Sequence, residues 1–189
     1  MYLCAGTRWS SASTYELSDA APWRGAVRPS TLTVVPRVLV TGMSGAGKST
    51  LLDELDRRGH LTVDTDYDGW ELPGSAWDER RMSELLATHG DVIVSGTVEN
   101  QGVFYDRFDH VVLLSAPVEV LIERISSRTN NPYGRTLEQQ GEVRRYVADV
   151  EPLLRRGASL ELDGRHPVAD FADSIEALGR GWPESHRRA

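Results

Sequence analysis

At 189 residues, 40% of them hydrophobic and 26% charged, the chain is long enough for one domain with a true core. A formal net charge of −7 argues against a dedicated nucleic-acid binder, which would carry a basic surface, but leaves room for a local basic phosphate pocket. A single cysteine, Cys4, rules out an internal disulfide, no apolar run approaches the roughly 18 residues of a membrane span, and no basic-then-apolar leader is present, so the expectation is a cytoplasmic monomer or homodimer without membrane or nucleic-acid partners.

Residues 1–35 mix Ser, Ala, Thr and Pro with scattered aromatics and hold no period. They read as an irregular N-terminal extension or, equally, as a start site placed too far upstream of Val34 or Val35. From Pro36 the pattern turns regular. Apolar strand candidates are 37–41, 61–65, 91–95, 110–115 and 158–162, and helical patterns alternate with them at 48–58, 78–88, 117–128, 137–156 and 167–178. The first helix places Leu51, Leu52 and Leu55 on one face and stops at Gly59. Pro152 is expected to end or kink the fourth. Trp70 and Trp77 read as core of a small lobe after the second strand. The domain then spans 36–180, followed by a tail at 181–189. Strands alternating with helices predict a three-layer α/β/α fold around a five-stranded parallel sheet.

Gly42-Met43-Ser44-Gly45-Ala46-Gly47-Lys48-Ser49 fits G-x-x-x-x-G-K-[ST] between a strand and a helix, which is the context the motif requires. Successive backbone N–H groups in such a loop form a concave anion site, and the helix N-terminus adds partial positive charge. The expected ATP-binding residues are therefore Gly42, Ser44, Gly45, Ala46, Gly47, Lys48, Ser49 and Thr50. Lys48 should reach the β/γ-phosphates, and Ser49 should ligate Mg²⁺. The scattered histidines offer no metal site.

Three observations bear on what the phosphate is for. The domain has no space for the added subdomains of a motor or transporter ATPase. No N-K-x-D element of a switch GTPase occurs. Arginines 124, 128 and 135, then 144 and 145, gather after the fourth strand, with Arg128 beginning a turn-rich segment, as a lid closing on a transferring phosphoryl group would need; the lid is expected at about 128–137.

On these residues the chain resembles the P-loop small-molecule kinases, both nucleoside monophosphate kinases and shikimate and gluconate kinases. "VTGMSGAGKSTL" is similar to their phosphate loop, "VDTDYDGW" (63–70) to the Asp-x-Asp element of shikimate kinases, and "VLIERISSR" (120–128) to the helix leading to their lid. "RRYVADVEPLL" (144–154) and "LELDGRHPVADFADSIEAL" (160–178) resemble adenylate kinase segments. The resemblance implies an NMP-kinase-like fold and an ATP- and Mg²⁺-dependent phosphotransferase. It implies that Asp64 and Asp66 face the γ-phosphate, one linked to Mg²⁺ and the other accepting the acceptor's proton; Asp64 is assigned to the metal with Ser49, and Asp66 to catalysis with Lys48 and Arg128. Arg128 and Arg135 would touch ATP phosphates. Asp68 reads first as turn chemistry, Arg124 as a surface pair with Glu123 or a neighbour, and Tyr133 as a turn residue or an adenine contact. The third strand departs from the family: it ends in Ser95-Gly96-Thr97, without a metal-binding carboxylate. Asp64, Asp66, Gly96, Thr97 and Arg107 are the candidate substrate-binding residues. The acceptor is a small hydroxyl- or phosphate-bearing molecule, nucleotide, nucleoside or shikimate-like. The alternative is a nucleotide-binding regulatory protein that hydrolyses ATP slowly and has no acceptor.

Overall fold

A computed structural model describes residues 35–128 and 134–180. The expected extension, apart from Val35, the tail and Tyr133 in the lid lie outside the described residues. In chain order the elements are β1 (Val38–Thr41), α1 (Lys48–Arg57), β2 (Thr62–Asp64), β3 (Glu71–Leu72), β4 (Ala76–Trp77), α2 (Glu79–Thr88), β5 (Ile93–Ser95), a 3₁₀ helix (Gln101–Arg107), β6 (His110–Ser115), α3 (Val118–Ser127), α4 (Leu137–Asp149), α5 (Glu151–Gly157), β7 (Leu160–Asp163) and α6 (Val168–Leu178).

Five strands form one parallel sheet in the order β2-β5-β1-β6-β7. Its centre is apolar on both faces, as parallel sheets covered by helices are. Along β1, Val38 and Val40 join one core with Leu51 and Leu55 of α1 and Phe171 and Ile175 of α6, whereas Leu39 joins the opposite core with Met82 and Leu86 of α2. All five expected strands are present, each within two residues of its expected bounds.

Local chemistry sets the helix limits. Asp78 caps α2 by accepting from the Arg81 N–H at 3.0 Å, and Thr136 with Gln139 forms a reciprocal capping box that starts α4. The long fourth helix is in fact two, broken at Val150. Pro152 has no N–H to continue the ladder of α4, so a second helix restarts there with the proline in its first turn, where that N–H is not needed.

The sequence pattern gave no sign of the antiparallel hairpin β3–β4. It is too short to show alternation. Its stability comes from the second core: Trp77 is fully buried, tilted against Phe104 at 5.8 Å, and Trp70 is nearly so, as expected of both.

Candidate active site

The phosphate loop joins the C-terminal end of β1 to α1. Gly42 and Gly45 hold φ of 147° and 87°. A Cβ at Gly42 would overlap the Leu114 carbonyl oxygen, and one at Gly45 would lie 2.8 Å from the Leu121 carbonyl oxygen. Only glycine permits this curl against β6 and α3. The loop is tied internally by Ala46 N–H donating to Met43 O at 3.1 Å. Lys48, 9% exposed, lies inward and donates from Nζ to Gly42 O at 2.7 Å.

A cleft of about 440 Å³ opens above this loop. Residues 44–50 form its floor. It is lined further by Asp66 beyond β2, Arg124 of α3, Arg128 just after that helix, Gly164 and His166 of the β7–α6 connection, and Val168 and Phe171 of α6. The expected phosphate-binding residues from Ser44 to Thr50, together with Asp66 and Arg128, are thus brought together, with Gly42 just beneath them.

The two aspartates do not lie on one strand. β2 ends at Asp64, and Asp66 lies in the turn beyond, its backbone N–H donating to Asp64 Oδ1 at 3.2 Å. Asp64 is half-buried and accepts a hydrogen bond from Ser49. Burial, reinforced by the charge of Asp66, pushes the Asp64 carboxyl above its usual range, while Ser49 and Lys48 pull it back.

Magnesium is tested here by the donor set. Asp64 is in register with Ser95 across β2–β5, so both side chains point to the α1 face of the sheet. Ser95 Oγ is buried and has no hydrogen-bond partner. A hydroxyl, a carboxylate and an unpartnered hydroxyl beside the phosphate loop make a hard oxygen-rich corner, which fits Mg²⁺ with retained waters.

Several assignments change. Gly96 is a packing glycine: a Cβ there would overlap Thr65 Oγ1 and sit 3.0 Å from Trp77 Cζ2. Thr97 turns to the phosphate loop; its hydroxyl donates to Gly42 O at 2.9 Å and accepts from Gly42 N–H at 3.2 Å. Arg107 is held away from the cleft lining by donating to Ser83 O of α2 at 3.0 Å. Arg135 is exposed and donates to Arg128 O at 3.0 Å. Arg124 is no surface pair. Its Nη2 donates to Gly164 O at 2.8 Å and its Nη1 to Gly45 O at 3.4 Å, clipping the phosphate loop to the β7–α6 connection. No sequence signal pointed to His166, Val168 or Phe171, because their approach depends on sheet order.

A phosphate loop at the C-terminal edge of a helix-covered parallel sheet makes this a P-loop nucleotide-binding protein. A family model described as an AAA domain matches residues 38–146, more than half of the chain, and the chain belongs to that family. The fold is that of the P-loop small-molecule kinases. Shikimate kinase from Acinetobacter baumannii in complex with shikimate superposes with a TM-score of 0.59 at 23% identity, over 77% of this chain and 93% of that one. Shikimate kinase from Bacteroides thetaiotaomicron gives 0.55 at 17%, over 76% and 98%. Deoxyadenosine kinase from M. mycoides with bound dATP gives 0.52 at 13%, over 77% and 100%. No curated protein matches the sequence. Among the described residues, no helix is long and apolar enough to cross a membrane.

Proposed function

We propose that the chain is an ATP- and Mg²⁺-dependent phosphotransferase acting on a small hydroxyl-bearing acceptor. The observation that carries this is Asp66, an exposed carboxylate standing in the same cleft as Lys48, Arg124 and Arg128. A cleft that only held nucleotide would gain nothing from an unpaired anion beside the phosphates. Opposite an acceptor hydroxyl, that carboxylate is a general base.

The phosphate loop and the start of α1 bind the β- and γ-phosphates, and Lys48 exchanges its bond to Gly42 O for phosphate oxygen. Ser49 and Asp64 would hold the magnesium ion, which when bound neutralises charge between the phosphates. Asp66 accepts the hydroxyl proton as the acceptor oxygen forms its bond to the γ-phosphorus. The bond from that phosphorus to the β,γ-bridging oxygen breaks, and ADP leaves with the electron pair. Arg124 and Arg128 stabilise the charge spread over the transferring group. Val168 and Phe171, the apolar residues of the cleft lining beyond the phosphate loop, would meet the nucleotide base.

ADP release measured with a panel of sugars, nucleosides, nucleotides and shikimate-like acids tests this reading. A true acceptor accelerates ADP production, and Asp66→Asn lowers turnover more than it weakens ATP binding. Lys48→Ala loses most turnover with the fold intact. A flat response across the panel, with slow acceptor-independent hydrolysis, would instead support the regulatory alternative.

A further inference from the structure

We propose that Arg81 is a positioning residue for phosphoryl transfer: it lies outside the cleft and aims Asp66 by holding the turn on which that carboxylate stands. The inference rests on the phosphotransferase reading and names the residue through which its general base is placed.

Asp66 lines the cleft, yet its carboxylate has no hydrogen-bond or ion-pair partner among the described residues. Its place is therefore set by the backbone that carries it. That backbone is pinned at both ends. Before it, the Thr65 N–H donates to Ser95 O at 2.9 Å and the Thr65 hydroxyl to the same oxygen at 2.7 Å, while Trp77 Nε1 donates to Thr65 Oγ1 at 2.9 Å. After it, Trp70 is buried in the core of the small lobe, and its carbonyl accepts from the Asp78 N–H at 2.9 Å. Residues 66–69 bridge the two pins and are exposed.

The bridge is held in a costly shape. Asp68 has φ of 58° and Gly69 of 66°. A residue other than glycine keeps a left-handed backbone where its surroundings impose it, aspartate more readily than most. Arg81 imposes it here. Its Nη1 donates to Asp68 O at 2.7 Å, and its guanidinium carbon lies 3.9 Å from the centre of the Trp70 ring. Among the described residues, no other hydrogen bond reaches 66–69 from outside residues 64–70. Arg81 is fixed in turn by the start of α2, where its N–H donates to the Asp78 carboxylate at 3.0 Å. A guanidinium can lie over a ring and donate to a carbonyl together, which an ammonium does poorly. Arg81 is not among the residues lining the cleft, so any effect it has on the reaction passes through the turn and Asp66. Without the clamp, Asp68 and Gly69 are free to relax, and a shift of about 1 Å in a catalytic group can cost about 100-fold in rate.

The test uses whichever compound of the acceptor panel most accelerates ADP release. Arg81→Ala should lower kcat by about 10- to 100-fold, while the KM for ATP and for the acceptor each move by less than about twofold. Arg81→Lys keeps a donor without the planar stack and should recover part of the loss. In an Asp66→Asn background, Arg81→Ala should cost less than about twofold in kcat, because the clamp then has no base to aim. Amide hydrogen exchange gives a readout that needs no acceptor. The Asp66 and Tyr67 amides, which donate to Asp64, should exchange about tenfold faster in Arg81→Ala, with residues 42–52 unchanged. Circular dichroism melts check that each variant folds, and Arg81→Lys covers a failure of the alanine. A raised acceptor KM at unchanged kcat would make Arg81 an acceptor contact. Losses that multiply in full with Asp66→Asn would make it act elsewhere, and unchanged exchange would mean that the turn holds itself. Each of these three overturns the inference and leaves the phosphotransferase standing. No acceleration of the wild type by any compound overturns both.

Discussion

Thr97→Val separates a strut of the phosphate loop from an acceptor contact. The Thr97 hydroxyl satisfies Gly42 twice, accepting from its N–H at 3.2 Å and donating to its carbonyl at 2.9 Å. Valine keeps the shape and removes the hydroxyl. The carbonyl still accepts from Lys48 Nζ at 2.7 Å, so the loss falls on the Gly42 N–H. An orphaned buried donor costs about 1–3 kcal/mol, and part-burial of this contact puts the figure at about 1–2 kcal/mol. For a chain of this size that lowers Tm by roughly 2–8 °C. Because Gly42 starts the loop, part of the same cost should appear in nucleotide affinity, up to about a 30-fold weakening if all of it is transferred. Thermal melts and calorimetric titration with a non-hydrolysable ATP analogue in Mg²⁺ measure both quantities. Thr97→Ser retains both bonds and should restore most of each. If Thr97→Val leaves Tm and nucleotide affinity unchanged and raises only the KM for acceptor, the strut argument is refuted.

Two further perturbations address the cleft. Asp64 has its proton affinity raised by burial, so the folded state holds that proton more tightly than the unfolded chain does. Its contribution is present below the ordinary aspartate value of about 3.8 and is lost as pH rises through the folded value. Asp64→Asn should therefore raise Tm at neutral pH, with a gain that vanishes below about pH 4, while weakening Mg²⁺-dependent nucleotide binding; a lower Tm at neutral pH would contradict the burial argument. Arg124→Ala cuts the clip between Gly45 and Gly164 and should weaken ATP-analogue binding by on the order of tenfold, with Arg124→Lys recovering little because one ammonium cannot span both carbonyls as the guanidinium does. Calorimetry reads this directly, and Arg135→Ala, at an exposed side chain, is the control expected to change binding less than Arg124→Ala.

Much of the fold could be read from the chain alone, because period and punctuation are local. Five apolar runs between amphipathic stretches imply a covered parallel sheet, and the Gly42–Ser49 spacing implies a phosphate cradle wherever strand meets helix. The same locality limited the reading of the site. Asp64 and Asp66 are two residues apart, but a chain turn after β2, and not strand alternation, sets their directions. Gly96 and Thr97 looked like cleft residues because they follow a strand end. Only the neighbouring strands show that Gly96 makes room for Thr65 and Trp77 and that Thr97 reaches back to Gly42. Arg124 looked like a surface charge until β7 came to lie beside β6 and brought Gly164 within reach. What the sequence determined by itself was that a nucleotide phosphate site exists and at which edge of which sheet, since those follow from short-range backbone geometry. Which arginine clips the phosphate loop and which hydroxyl braces it were decided by tertiary structure, because each depends on residues about 40 to 80 positions apart meeting through strand order.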